Sequence, residues 1–198
     1  MTEQPANLDT KRPAAAATVW SFRALLRGWA RDLFVAAGLA AVIIVFLYQP
    51  VKVEGTSMSP LLVDQERIFI NKFVYRFGAV ERGDVVVFWY PRDRTKSFIK
   101  RVVGLPGEKV EIRRGRVYVN GEALEETYLV SPGSDASYHG PVQVPEGYYF
   151  VLGDHRSSSN DSRLFGPVSE SLIYGKAVFA YWPVDRFGAI PAAASSVK

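Results

Sequence analysis

Three short stretches of the chain carry side chains that could do chemistry together. The first is GTSMSP, Gly55 to Pro60; the second is FIKRVVGLPG, Phe98 to Gly107; the third is GDHRSSSNDSR, Gly153 to Arg163. A serine hydroxyl becomes a nucleophile only when another group takes its proton. Ser57 has no histidine or aspartate within its own stretch, so any acceptor must come from elsewhere in the chain. The sequence holds no cysteine and only His139 and His155, which leaves no thiolate nucleophile and no His-rich metal centre. Lys100 is the other candidate. It alternates with Phe98 and Val102, so in a strand it shares their apolar face. Burial strips an ammonium of hydration and lowers its pKa, which turns a lysine into a base at neutral pH. A triad of His155, Ser159 and Asp161 is the rival arrangement; it would have to be established by geometry, since nearness in sequence does not define a triad.

The segments around these stretches read as strands. RIFINKFVY, DVVVFWY, SFIKRVVGL, KVEIRRGRVYVNGEAL, GYYFVLGD and KAVFAYW are short β-branched and aromatic runs punctuated by Gly, Pro and Asp. Asn120–Gly121 predicts a two-residue hairpin turn. The segment from Ser131 to Pro141 predicts a loop. The fold class expected is mainly β, with antiparallel sheets closed into a barrel or sandwich.

Ahead of this region the pattern changes. Residues 1–30 are a polar, then Ala- and Pro-rich tail that ends in basic residues. From Leu33 to Val51 there are 19 residues without a charge, and at 1.5 Å each they nearly match a hydrocarbon core of about 30 Å. One transmembrane helix is expected over 31–50, ended by Pro50 and flanked by Arg31 and Lys52. YQPVKV after it is too bulky for a signal-peptide cleavage site, which favours an uncleaved anchor in a lipid bilayer. The tail carries Lys11, Arg12, Arg23, Arg27 and Arg31 against Glu3, Asp9 and Asp32, so the N-terminus is expected in the cytoplasm. Residues 51–198 then form an extracytoplasmic domain, placed on the periplasmic side of the plasma membrane. The net charge of +4 is spread out, with no basic block of the kind that binds nucleic acid.

SMSP, KRVVGLPG and GDHRSSSNDSR, in that order after an N-terminal anchor, resemble the boxes of the bacterial type I signal peptidases, a Ser/Lys-dyad serine protease family. The resemblance runs from the anchor to about Trp182. It implies an antiparallel β catalytic core with a small β insertion, here about 108–145. It implies that Ser57 attacks the scissile carbonyl, that Lys100 is the general base and that Ser159 orients the lysine. Asp154, Arg156, Asp161 and Arg163 match the polar residues that hold the catalytic core together; either aspartate near the amine would raise its pKa, so the two are expected to pair with Arg156 and Arg163. The oxyanion hole would use the Ser57 amide, with Gly55 standing where some members carry a serine. His155, Ser157, Ser158 and Leu61 depart from commoner residues, and none of these changes removes a reacting group.

The implied substrates are signal peptides of exported preproteins, cut after small residues in an Ala-x-Ala pattern, with no cofactor and no metal. The substrate would add as a β-strand. Val53, Met58, Leu62 and Ile99 are candidate pocket walls by their nearness to Ser57 and Lys100. Phe88, Trp89, Tyr90, Tyr181 and Trp182 are candidates for a lipid-facing surface. A specialised maturation peptidase and a non-catalytic binding module are the alternatives; retention of both Ser57 and Lys100 argues against the second.

Overall fold

The structure, a computed structural model, describes residues 22–129 and 136–192. It separates into two units at Val42/Ile43. The first contains most of helix α1, Phe22–Leu47, in which Trp29, Leu33, Phe34, Val35 and Leu39 are all exposed. The expected anchor needs correction at both ends, for the helix already begins at Phe22, within the stretch read as a tail. The helix stops at Leu47, and Tyr48 to Lys52 form strand β1. Pro50 is therefore a strand residue and not the helix terminator. The position suits it, because β1 is an edge strand paired only with β2, and the missing N–H breaks no central ladder. Among the described residues no helix is long and apolar enough to cross a membrane.

The second unit is built from antiparallel strands. β2 (Arg67–Asn71), β3 (Val85–Tyr90), β4 (Asp93–Gly104), β9 (Tyr148–Leu152), β10 (Val168–Ser169), β11 (Ile173–Trp182) and β12 (Gly188–Ala189) join β1 in an eight-stranded sheet. Its order is β1-β2-β11-β3-β4-β9-β10, with β12 added beside β11. The expected strands are present, several with different limits. Val74 to Phe77, which begin within the run RIFINKFVY and continue past it, form a single helical turn, held by Asn71 Oδ1, which accepts from the amides of Phe73 and Val74. Phe88 is fully buried among Val86, Val102 and Val168, so it belongs to the core and not to a lipid-facing surface, whereas Trp89 and Trp182 are exposed.

The expected insertion is a separate four-stranded sheet of β5 (Lys109–Arg113), β6 (Arg116–Val119), β7 (Glu122–Ala123) and β8 (His139–Gln143). Asn120 and Gly121 both have positive φ, 53° and 93°, as a primed hairpin turn requires. The turn at Arg114–Gly115 has the same character. The segment 131–141 is only partly a loop: His139 to Pro141 lie in β8, because Val142 pairs with Val110 and carries the ladder back to His139 opposite Ile112. Residues 130–135 lie outside the described residues.

Alternation along two central strands divides the interior into three apolar clusters. In β3, Val85 and Val87 pack with Val53, Met58 and Ile70, while Val86 and Phe88 face Val102 and Val151. In β4, Val103 instead joins Val110, Ile112 and Phe150 beneath the insertion. β4 is thus the strand that all three clusters share. At its end Gly104 leaves room for the insertion. A Cβ there would stand 2.4 Å from Val110 Cγ2 and 3.0 Å from Phe150 Cβ. Gly104→Ala is expected to destabilise the domain by about 1–3 kcal/mol through overpacking, and Gly104→Ala/Val110→Ala to recover part of that loss. Denaturant unfolding of both variants checks it; a Gly104→Ala protein as stable as the parent refutes the close packing.

Candidate active site

Lys100 lies opposite Val86 in the β3–β4 ladder, and on its own strand it alternates with Phe98 and Val102. Its side chain is 4% exposed, and Nζ lies 5.2 Å from the centre of the Phe98 ring. The amine makes two hydrogen bonds. Nζ donates to Ser57 Oγ at 2.7 Å and to the Ile99 carbonyl at 2.9 Å. Two residues 43 apart in sequence are therefore in direct contact. Burial brings the Lys100 pKa down from 10.5 to about 8, against the pull of Asp161 and Asp154, which raise it. At pH 7 about a tenth of the amines are then neutral, where an unperturbed lysine would have under one in a thousand. A neutral amine accepts the hydroxyl proton across the same short distance.

Ser57 sits in the turn that follows Val53. The Gly153 loop backs this turn. His155 N–H donates to the Ser57 carbonyl at 3.0 Å, and a Cβ on Gly153 would stand 2.4 Å from that carbonyl oxygen and 2.3 Å from Ser159 Oγ. Among the described residues no acceptor is bonded to the Ser57 amide. Gly55 differs. Its amide donates to Asp64 Oδ1 at 2.7 Å and so is committed, and with φ of +87° it shapes the turn. This removes Gly55 as an oxyanion donor. Asp64, whose carboxyl is held below the ordinary range chiefly by that amide, was not singled out from sequence.

Ser159 is placed close to this loop without the expected bond to the lysine. Its Oγ is buried and meets no partner in hydrogen-bond geometry. It is near enough to Asp161 to help hold that carboxyl low without forming a full hydrogen bond. His155 does not form a triad with it: Nδ1 reaches the Thr56 carbonyl at 3.3 Å, and the ring touches neither serine hydroxyl.

The four polar residues of the last stretch are brought together, with one exchange of partners. Asp161 pairs with Arg163 as the sequence suggests, Arg163 Nε donating at 2.8 Å. Burial raises the Asp161 carboxyl, but the bonds and charge of Arg163 outweigh it and hold the group below its usual range. Asp154 does not pair with Arg156. It takes a bidentate pair from Arg101, with Nε to Oδ1 at 2.9 Å and Nη2 to Oδ2 at 2.7 Å, both side chains being almost wholly buried. Arg156 turns instead to Glu126 in the insertion. Arg101 was within reach of sequence reasoning, since it alternates with Lys100. Nothing in the sequence marks Glu126.

A cleft of about 750 Å³ opens over Ser57 and Lys100. Val51 to Met58 form one wall and Thr95 to Lys100 the other, with Val87, Ser158 and Asn160 completing it. Val53, Met58 and Ile99 line it as expected. Leu62 does not: it is fully buried with Ile68 and Ala177, a core residue that the turn folds inward. β9 pairs with β4 only from Arg101 onward, so among the described residues the stretch from Thr95 to Ile99 has no strand on its cleft side.

Known proteins resemble this chain over most of its length. The family described as signal peptidase, peptidase S26, matches residues 26–182. Signal peptidase I of Bacillus amyloliquefaciens is 41% identical over 165 residues, covering 78% of this chain and 84% of that one. Signal peptidase I T of Bacillus subtilis strain 168 is 38% identical over 167 residues, covering 80% and 86%. A solved signal peptidase I from Enterococcus faecalis V583 is 38% identical and covers 50% of this chain and 97% of its own, with a TM-score of 0.44. With a family match over most of its length and relatives at this identity, the chain belongs to the signal peptidase family, peptidase S26, and is a serine endopeptidase of the signal peptidase I type.

Proposed function

We propose that this endopeptidase removes signal peptides from exported preproteins with Ser57 as nucleophile and Lys100 as general base. The observation that carries the proposal is the 2.7 Å contact between Lys100 Nζ and Ser57 Oγ at the floor of the cleft, made by a lysine whose burial lowers its proton affinity. Neutral Lys100 takes the hydroxyl proton as Oγ adds to the scissile carbonyl. The resulting ammonium returns that proton to the departing amine, and the neutral amine then activates the water that hydrolyses the acyl-enzyme. The Ser57 amide supplies a donor to the developing oxyanion. The preprotein adds as a strand in the cleft between Val51–Thr56 and Thr95–Ile99, the latter lying beyond the reach of β9 in its ladder with β4. Val53 and Met58 give the cleft apolar walls, and the proposed preference for small side chains such as alanine rests on these.

We further propose that the N-terminal segment anchors the enzyme in the plasma membrane as a single pass, with the catalytic domain outside. The support is the apolar surface of α1 at Leu33, Phe34, Val35 and Leu39, which is exposed among the described residues and gains from transfer into lipid. Basic residues before the helix favour a cytoplasmic N-terminus. Protease added to spheroplasts should digest the region after Lys52 and spare the tail before Arg31; digestion of the tail alone would reverse the orientation.

Ser57→Ala and Lys100→Met should each abolish cleavage of a preprotein while the domain stays folded. In the parent enzyme kcat/KM should rise with pH along a limb centred near 8, as the lysine loses its proton. A limb centred near 10.5, or activity retained in either variant, would discard the dyad.

The same burial costs stability. Folding disfavours the charged lysine, so the penalty is complete below pH 8, where both states are protonated, shrinks from about 8 to 10.5, and is absent above. Its size is about 3 kcal/mol. Lys100→Met should therefore be more stable than the parent at pH 7 by up to that amount, with the two converging towards pH 10.5. A variant less stable than the parent at pH 7 would show that the lysine is not held against its own hydration.

A further inference from the structure

The insertion reaches into the catalytic loop through two side chains that no motif marks. Glu126, buried, receives both terminal nitrogens of Arg156, Nη1 donating to Oε2 at 3.1 Å and Nη2 to Oε1. Tyr128 donates its hydroxyl to Glu126 Oε1 at 2.6 Å, and its ring lies beneath the Arg101 guanidinium, 4.2 Å from the ring centre. Arg156 in turn donates from Nε to the Gly153 carbonyl at 3.2 Å, and its own carbonyl accepts from Arg163 Nη2 at 2.7 Å. Arg101 holds Asp154. Every residue of the tetrapeptide Gly153 to Arg156 is thus tied either to this clasp or to the backbone of Ser57.

We infer that Glu126 is a positioning residue for catalysis, by which the insertion seats the Gly153–Arg156 loop against the turn that carries the nucleophile. The consequence follows from the contacts at Gly153. There is no space between its α-carbon, the Ser57 carbonyl and Ser159 Oγ, so a shift of the loop is passed directly to Ser57. Reaction between Ser57 and Lys100 requires their 2.7 Å approach, and a displacement of an ångström in such a pair costs rate steeply. Neither Glu126 nor Tyr128 lines the cleft, so the effect should fall on turnover and not on binding.

Charge carries a second consequence. The carboxylates that act on the Lys100 amine are Asp154 and Asp161, compensated by Arg101 and Arg163. Arg156 is compensated by Glu126; burial works against its charge, and Glu126 more than offsets that. With Glu126 neutral, the Arg156 charge keeps Asp154 as its neighbouring carboxylate, which it shares with Arg101; this offsets the charge by which Asp154 favours the ammonium form of Lys100, and that form is further disfavoured. A device that merely stiffened the fold would leave the proton affinity of the lysine unchanged.

This inference rests on the Ser57–Lys100 reading. The test measures steady-state cleavage of a preprotein by the full chain across pH, for Glu126→Gln, Glu126→Asp and Tyr128→Phe, with Ser57→Ala alongside. Glu126→Gln should lower kcat by about tenfold or more with KM within about twofold, and should move the rising limb to lower pH. Glu126→Asp, which restores the charge on a shorter arm, should return the limb to its parental position with kcat partly recovered. Tyr128→Phe keeps the ring under Arg101 and loses only the hydroxyl bond, so kcat should fall about threefold at unchanged KM; it carries the test if the Gln variant does not fold. Parental kcat in the folded Gln or Phe variant overturns the inference, as does a loss in Glu126→Gln that follows thermal stability and leaves the limb unmoved. An active Ser57→Ala would instead discard the dyad reading itself, and the inference with it.

Discussion

A single amine kept out of water sets the terms for the rest of this domain. Lys100 has lost most of its solvent and keeps only two hydrogen-bond partners, the Ser57 hydroxyl and the Ile99 carbonyl. An ammonium in such a place is poorly satisfied, and the group becomes readily deprotonated as a result. A surface lysine could make the same contact with a serine and still be useless as a base, because it would hold its proton at neutral pH. The apolar face of β4 and the packing of Phe98 beside the amine are therefore as much a part of the proposed chemistry as the serine is. The cost is a lysine that opposes folding, and the surrounding clusters must outweigh it.

The carboxylates near the site are arranged to avoid undoing this. Asp154 and Asp161 both raise the proton affinity of Lys100, and each is engaged by an arginine in charge-assisted bonds. Removing either arginine would leave a buried, uncompensated carboxylate and a lysine more inclined to stay protonated. Arg101 shows how closely the two functions are built together. It is the neighbour of Lys100 on β4, and alternation sends the two side chains to opposite faces. One strand thus delivers the base to the cleft and the counter-charge to the network behind it.

Much of this was legible in the sequence because it is local. The face shared by Phe98, Lys100 and Val102 follows from strand periodicity alone, and so does the turn at Asn120–Gly121 from its need for positive φ. The pairing of Asp161 with Arg163 spans two residues, within reach of a single loop. What sequence reasoning missed is set by contacts between distant segments. Arg101 meets Asp154 across 53 residues and Arg156 meets Glu126 across 30, so the nearer assignment of Asp154 to Arg156 failed. Leu62 was placed at the cleft by its distance along the chain from Ser57, but the intervening turn folds it into the core. The end of the N-terminal helix was misplaced for a related reason. Composition alone could not tell that Tyr48 to Lys52 find a ladder partner in β2, which ends the helix before Pro50 is reached.

Among the described residues no carboxylate is bonded to Lys100, and this distinguishes the proposed site from one built on histidine. In a Ser-His-Asp arrangement the aspartate steadies the imidazolium that forms, and the histidine starts near the right proton affinity. A lysine starts far too basic, so an acid in contact with Nζ would fix the proton in place and end the reaction before it began. Orientation then has to come from neutral groups. The Ile99 carbonyl accepts one hydrogen of the amine, and the Ser57 hydroxyl occupies the direction in which the lone pair of the neutral form must point. The buried hydroxyl of Ser159 belongs to the same logic. It adds polarity near the loop without adding charge. A neutral, desolvated surround is the condition under which a Ser/Lys pair can work at all, and the fold supplies it by keeping every nearby carboxylate occupied elsewhere.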